Sequence, residues 1–215
     1  TDLDASGTVL GTHDGPPLAV VALGDSTLTG PGLDDPQHIW LRQALARLGS
    51  ARSIVVTSLA AGGSRVADVE PMIELALDQR PDLVIVAVGS NDALHGTPTG
   101  LIGSQLDAVL RRLLGGAPVV AVANVGEFAN IPRVPQPLRS LLPIRSRAVR
   151  AVIEDVVGRH DRAVLLDVTP ADETLRDRSV FVADLFHPGP RGHAAWAEAA
   201  LPGLRAAFAL LPGQA

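Results

Sequence analysis

Five short apolar runs punctuate the chain: LAVVAL at 18–23, SIVVTSL at 53–59, DLVIVAV at 82–88, PVVAVAN at 118–124 and AVLLDV at 163–168. Most are rich in β-branched residues and all are continuous rather than alternating in polarity, the pattern of strands covered on both faces in a parallel sheet. Between them, apolar residues recur at helical spacing. Leu41, Leu45 and Leu48 form one face after Pro36, with Gly49 as its stop, and Leu106, Leu110 and Leu113 form another that ends at Gly115 and Gly116. Ala148, Val149, Val152, Ile153 and Val156 make a third, and 192–211 a fourth. A helix over 66–79 must hold Pro71 in its first turn or kink there. Strand and helix alternate throughout, which predicts an open, doubly wound, three-layer α/β/α domain around a five-stranded parallel sheet with right-handed crossovers.

With 215 residues, 47% of them hydrophobic, the chain suffices for one large core, and no charged or low-complexity stretch divides it. Residues 1–17 read as an N-terminal extension and 18–215 as a single domain. The segment 125–143 departs from the alternation. It holds Pro132, Pro135, Pro137 and Pro143 and reads as a long loop, a kind often enlisted for function. No apolar run approaches the ~20 residues of a membrane helix, so no membrane span is expected. The chain begins at Thr1 without an initiator methionine, which implies a removed leader or a shortened chain and leaves the compartment unread.

Composition narrows the chemistry. Cysteine is absent, which rules out disulfides, thiolate nucleophiles and cysteine metal sites. All 18 basic residues are arginine, so Schiff-base lysines, serine–lysine dyads and a P-loop lysine are excluded. A net charge of -5 and 3% aromatic residues argue against a nucleic-acid partner. No histidine cluster at ligand spacing indicates a metal, and no G-x-G-x-x-G follows the first run, so no cofactor is expected. Gly62-Gly63-Ser64-Arg65 has the look of a phosphate nest but stands alone.

Ligands of open α/β sheets bind beyond the carboxyl ends of the strands. There the sequence places Gly24-Asp25-Ser26, Ala61-Gly62-Gly63-Ser64 and Gly89-Ser90-Asn91-Asp92, and before the last helix Asp184-Leu185-Phe186-His187. A serine hydroxyl attacks a carbonyl only if a base takes its proton, an acid orients that base, and donors face the developing oxyanion. On this reading Ser26 is the nucleophile, His187 the base and Asp184 its orienting acid. The oxyanion donors are the N–H groups of Ser26 and Gly63 and the side-chain amide of Asn91. Asp25 and Asp92 read as structural loop residues. His13, His38 and His160 read as surface or helix-end residues, His95 as a marginal candidate for the pocket wall, and His193 as part of the start of the last helix.

These four blocks resemble, in order, the motifs of the SGNH hydrolase family, also called GDSL esterases/lipases, with Ser26, Gly63, Asn91 and His187 at its four name-giving positions. The resemblance spans about 18–209, and the stretch around PQPLRSL is similar to actinobacterial members. It implies a flavodoxin-like fold and acyl-ester hydrolysis or transfer without metal or organic cofactor. Two positions depart from the family pattern: Thr27 stands where leucine is common, and Ser58 where many members have asparagine. A classical α/β-hydrolase fits less well, since G-x-S-x-G is absent and Gly30-Pro31-Gly32 reads as a loop where that fold needs a helix starting at the serine. The expected function is hydrolysis of a small-molecule carboxylic ester through an acyl-serine intermediate. Acyl transfer to a sugar or other hydroxyl, and an inert acyl- or glycan-binding module, remain as alternatives. Phe128, Phe181 and Phe186 are candidate walls of an acyl pocket, and the lack of a lid-like amphipathic insertion favours short acyl chains. Oligomeric state is not legible.

Overall fold

Six strands form the central sheet: β1 (Gly7–Val9), β2 (Leu18–Gly24), β3 (Ile54–Ser58), β4 (Leu83–Ala87), β5 (Val119–Ala123) and β6 (Ala163–Leu166), in the order β1-β3-β2-β4-β5-β6. The structure, a computed structural model, describes residues 2–12 and 15–212, so His13 lies outside the described residues. Each of the five apolar runs forms a strand, and these five pair in parallel. The helices are α1 (Ser26–Thr29), α2 (Trp40–Leu48), α3 (Val66–Val69), α4 (Ile73–Asp78), α5 (Ser90–Leu94), α6 (Thr99–Leu114), α7 (Leu138–Val157) and α8 (Pro190–Ala209).

Because side chains alternate across a strand, the continuous apolar runs feed two cores at once. Val21, Leu23, Val84, Val86, Val120 and Val122 pack with buried residues of α3, α4, α6 and α7 on one face. Leu18, Val20, Ala22, Leu83, Ile85 and Ala121 pack with those of α2 and α8 on the other. The strand order reverses direction at β2. The crevice between the carboxyl ends of β2 and β4 is thus the topological switch point, where such sheets take their ligands.

Four local features differ from the sequence expectation. The sheet has a sixth strand, β1, antiparallel to β3 through Gly7–Val56 and Val9–Ile54 pairing. Three residues with mostly exposed side chains carry no periodic signal; the buried Arg42 fastens the segment instead, donating to the carbonyls of Ala5 and Thr8 at 3.1 Å each. Residues 138–143, expected as loop, already belong to α7, which carries Pro143 in its interior. Pro71 divides the 66–79 region into α3, a 3₁₀ turn at Glu70–Met72, and α4. Finally, a helix does start at Ser26: α1 is one turn long and stops at Gly30. Among the described residues no helix is long and apolar enough to cross a membrane.

α2 begins after Ile39, whose side chain offers no acceptor for the unpaired N–H groups of a helix start. His193, buried in α8, takes that role: its Nδ1 accepts from the Trp40 N–H at 3.1 Å. Burial pushes the His193 imidazole down to about 3, with the charges of His187 and His38 adding to the effect. The neutral ring therefore contributes stability that is fully present above the ordinary histidine pKa near 6.5 and drains away as pH falls from there toward 3. Between pH 7.5 and pH 5 this group alone accounts for about 2 kcal/mol. In urea titrations at the two pH values, His193→Asn is expected to be less stable than wild type at pH 7.5. Its further loss on going to pH 5 should be smaller by about that amount.

Candidate active site

The end of β2 and the end of β4 approach each other closely at Gly24. A Cβ there would stand 2.5 Å from the Ala87 carbonyl oxygen, so only glycine fits, and the Asp25 N–H donates to that same oxygen at 3.1 Å. Asp25 then caps α1, its Oδ1 accepting from the Thr27 N–H at 2.9 Å. Ser26 sits at the first position of this one-turn helix. Its N–H, like the others at a helix start, has no intrahelical acceptor, and among the described residues it donates to nothing.

The turn after β3 is sewn to this edge. Ala61 N–H donates to the Gly24 carbonyl at 3.0 Å, the Asn91 side-chain amide to the Ser64 carbonyl at 3.0 Å, and Val66 N–H to Asp92 Oδ2 at 2.9 Å. Gly63 takes φ +84 in that turn, a conformation that costs a side-chain-bearing residue, and its exposed N–H has no acceptor among the described residues. A second N–H of the Asn91 amide reaches Asp25 Oδ2 at a long 3.4 Å. Burial raises the Asp25 pKa to about 6, against the opposing hydrogen bonds from Thr27 and the charge of His187. Asp92, equally buried, braces the β3 turn as its place in the sequence suggests.

Asp184 and His187 stand in a tight turn before α8. Leu185 adopts φ 58 there, and the Val182 N–H donates to the His187 carbonyl at 2.9 Å, closing the turn. One Asp184 oxygen accepts the N–H groups of Phe186 and His187, at 2.8 and 3.0 Å, while the other lies 2.7 Å from His187 Nδ1. Burial works to raise the Asp184 pKa, but the hydrogen bonds from His187 and Phe186 outweigh it and hold the carboxyl below its ordinary value. With Nδ1 so held, Nε2 is the nitrogen left for a substrate or a hydroxyl.

Ser26, Asn91 and His187 line one cavity of about 600 Å³, open to solvent. Its other walls are largely apolar, and the three phenylalanines singled out in the sequence, Phe128, Phe181 and Phe186, are all among them. Gly63 belongs to the same strand-end cluster but does not line this cavity, and His95 does not either. Among the described residues Ser26 and His187 make no direct hydrogen bond, a common state of such pairs without substrate. No three His, Asp or Glu side chains among the described residues gather as a metal site would require.

Sequence reading missed the support behind the Phe128 wall. Glu127 Oε1 accepts from the Ala129 N–H at 3.0 Å and from the buried Ser146 hydroxyl at 2.9 Å. Arg150 stands between Glu127 and Asp172, 3.6 and 3.2 Å from their carboxylates, and Asp172 in turn accepts the Glu127 N–H at 2.8 Å. Burial raises the Asp172 pKa despite that N–H and Arg150. Arg145 likewise ties α7 to the loop after Asn91 through the carbonyls of Asp92, Ala93 and Thr97. Apart from the local Glu127–Ala129 contact, these partners lie 19 to 53 residues apart, and no spacing in the sequence pairs them.

An α/β/α sheet carrying a serine, a histidine–carboxylate pair and free amide donors at its carboxyl edge defines a carboxylic ester hydrolase. Residues 22–195 match the model of the GDSL-like Lipase/Acylhydrolase family, and the chain belongs to that family. Among solved structures it is similar to TesA, at 21% identity over 88% of this chain and 99% of that one, TM-score 0.71. It is similar also to the psychrotrophic esterase EstA from Pseudoalteromonas sp., at 15% identity over 89% and 98%, TM-score 0.71. A third is the acetylxylan esterase Axe2 from Geobacillus stearothermophilus, at 16% identity over 91% and 96%, TM-score 0.65. Identities this low establish the common fold. No curated protein matches the chain.

Arg150→Met leaves two partly buried carboxylates facing each other without their cation. Urea denaturation should show a loss of about 2–4 kcal/mol. Arg150→Lys, which keeps the charge but not the two-sided fork, should lose less.

Proposed function

We propose that the chain is a serine esterase acting on carboxylic esters of short acyl chains through a covalent acyl-Ser26 intermediate. The observation that carries this reading is the Asp184–His187 pair, 2.7 Å apart, on the wall of the cavity that Ser26 also lines. Two of the similar structures are named as esterases, which supports an ester substrate.

Ser26 Oγ attacks the ester carbonyl carbon while His187 Nε2 takes its proton. The ionised Asp184 holds the ring in the tautomer with a proton on Nδ1 and stabilises the imidazolium. The carbonyl oxygen, now an oxyanion, is met by the Ser26 and Gly63 N–H groups and by the Asn91 amide. Of that amide, one N–H is held by Ser64, and the other, only loosely engaged by Asp25, is the one to turn to the oxyanion. The intermediate collapses, the imidazolium protonates the departing alcohol, and the acyl group remains on Ser26. Water, deprotonated by His187, then attacks the acyl-serine and regenerates the hydroxyl.

The test is p-nitrophenyl ester hydrolysis by wild type, Ser26→Ala and Asp184→Asn. Ser26→Ala is expected to lose all measurable turnover, and Asp184→Asn to lower kcat by about four orders of magnitude, because the amide favours the wrong imidazole tautomer. Substantial turnover in Ser26→Ala would remove Ser26 from the reaction.

A further inference from the structure

The first two turns of α7 present an apolar flank to solvent. Leu138, Leu141 and Ile144 are 52%, 60% and 63% exposed, and their spacing of three makes them neighbours along the helix surface. Single exposed aliphatic residues are ordinary, but a contiguous row of them marks a contact surface.

The row stands in a stretch of one sign of charge. Between Glu127 and Glu154 the chain holds five arginines and no acidic residue, although its net charge is -5. Arg150 is spent on Glu127 and Asp172. Arg139 donates to the carbonyls of Ile131 and Pro132, and Arg145 to those of Asp92, Ala93 and Thr97, so no carboxylate cancels either charge. The side chains of Arg133 and Arg147 are exposed and have no partner among the described residues. Arg147 follows Ile144 by three positions and so extends the same flank. Arg133 stands beside the site: its N–H donates at 2.9 Å to the Leu185 carbonyl, in the turn that carries Asp184 and His187. Two positions before it, Ile131 lines the active-site cavity.

Helices that lie in the boundary of a lipid layer combine an apolar face, set among the acyl chains, with basic residues at the phosphates. A second copy of the chain fits less well, because an isologous contact would bring the same uncompensated arginines against one another. We infer that the start of α7 docks the protein on an anionic lipid surface, with Leu138, Leu141 and Ile144 entering the layer and Arg133 and Arg147 meeting its headgroups. The remainder of the chain carries the excess of acid and is repelled by such a surface, which favours this one orientation. The cavity wall at Ile131 is thereby brought near the lipid. That an ester held in the layer then has a short path to Ser26 rests on the esterase reading; the docking does not.

The test is co-sedimentation with vesicles of phosphatidylcholine alone and of phosphatidylcholine and phosphatidylglycerol in equal parts. The proteins are wild type, Leu141→Ser/Ile144→Ser and Arg133→Gln/Arg147→Gln, whose exposed positions should leave thermal unfolding and p-nitrophenyl butanoate turnover in vesicle-free solution unchanged. Wild type should bind the mixed vesicles, more weakly as salt rises, and not the neutral ones. Loss of the two arginines should weaken that binding about thirtyfold, and loss of the two aliphatic side chains about tenfold or more. Wild type that ignores the mixed vesicles overturns the inference and leaves the flank to an acidic protein. Equal binding to both compositions, or binding that survives either double substitution, overturns it too. So does a wild-type dimer in sedimentation velocity that Leu141→Ser/Ile144→Ser dissociates, which would assign the flank to a second copy. Selective binding by a protein that turns over no ester upholds the docking and removes only the esterase reading.

Discussion

The contact between Gly24 and the Ala87 carbonyl oxygen is the constraint on which the rest depends. Parallel strands β2 and β4 run side by side to their carboxyl ends in the register Gly24 to Ala87, and the missing side chain lets the Asp25 N–H continue the pairing one residue further. Ser26 and Asn91 are then delivered to one crevice by two different strands. Their relative position is set by the sheet rather than by loops. The buried strands supply the stiffness, since both cores press on them from opposite faces.

From that edge outward, each group is held in place by a neighbour. Asp25 caps the one-turn helix of Ser26, Asn91 and Asp92 fasten the turn that carries Gly63, and Asp184 both shapes the turn before α8 and orients His187. Carboxylates recur in these roles because one group can accept several N–H bonds at once. Their different surroundings separate them: Asp25, deeply buried, is pushed up to about 6, whereas Asp184, surrounded by donors, is held below its ordinary value. The second is the state needed beside a base that must gain a proton.

Much of this was legible in the chain because it depends on local patterns. Continuous apolar runs announced buried parallel strands, and polar clusters immediately after them announced the site. The three-residue spacing of Asp184 and His187 announced a pair close enough to bond. What escaped reading depends on contacts distant in sequence. β1 exists only by virtue of β3 and Arg42, and α7 runs through Pro143 because tertiary packing outweighs one missing hydrogen bond. His193 looked like a helix-start residue, while its service is to another helix 153 positions away. The Glu127–Arg150–Asp172 cluster is likewise a product of the folded arrangement.

The central claim is that Ser26 is an activated nucleophile. Intact-mass and peptide-level mass spectrometry after exposure to a fluorophosphonate tests it most directly. The account predicts a single adduct, localised to Ser26. A protein that stays unmodified under these conditions, or carries its adduct on another residue, would contradict it.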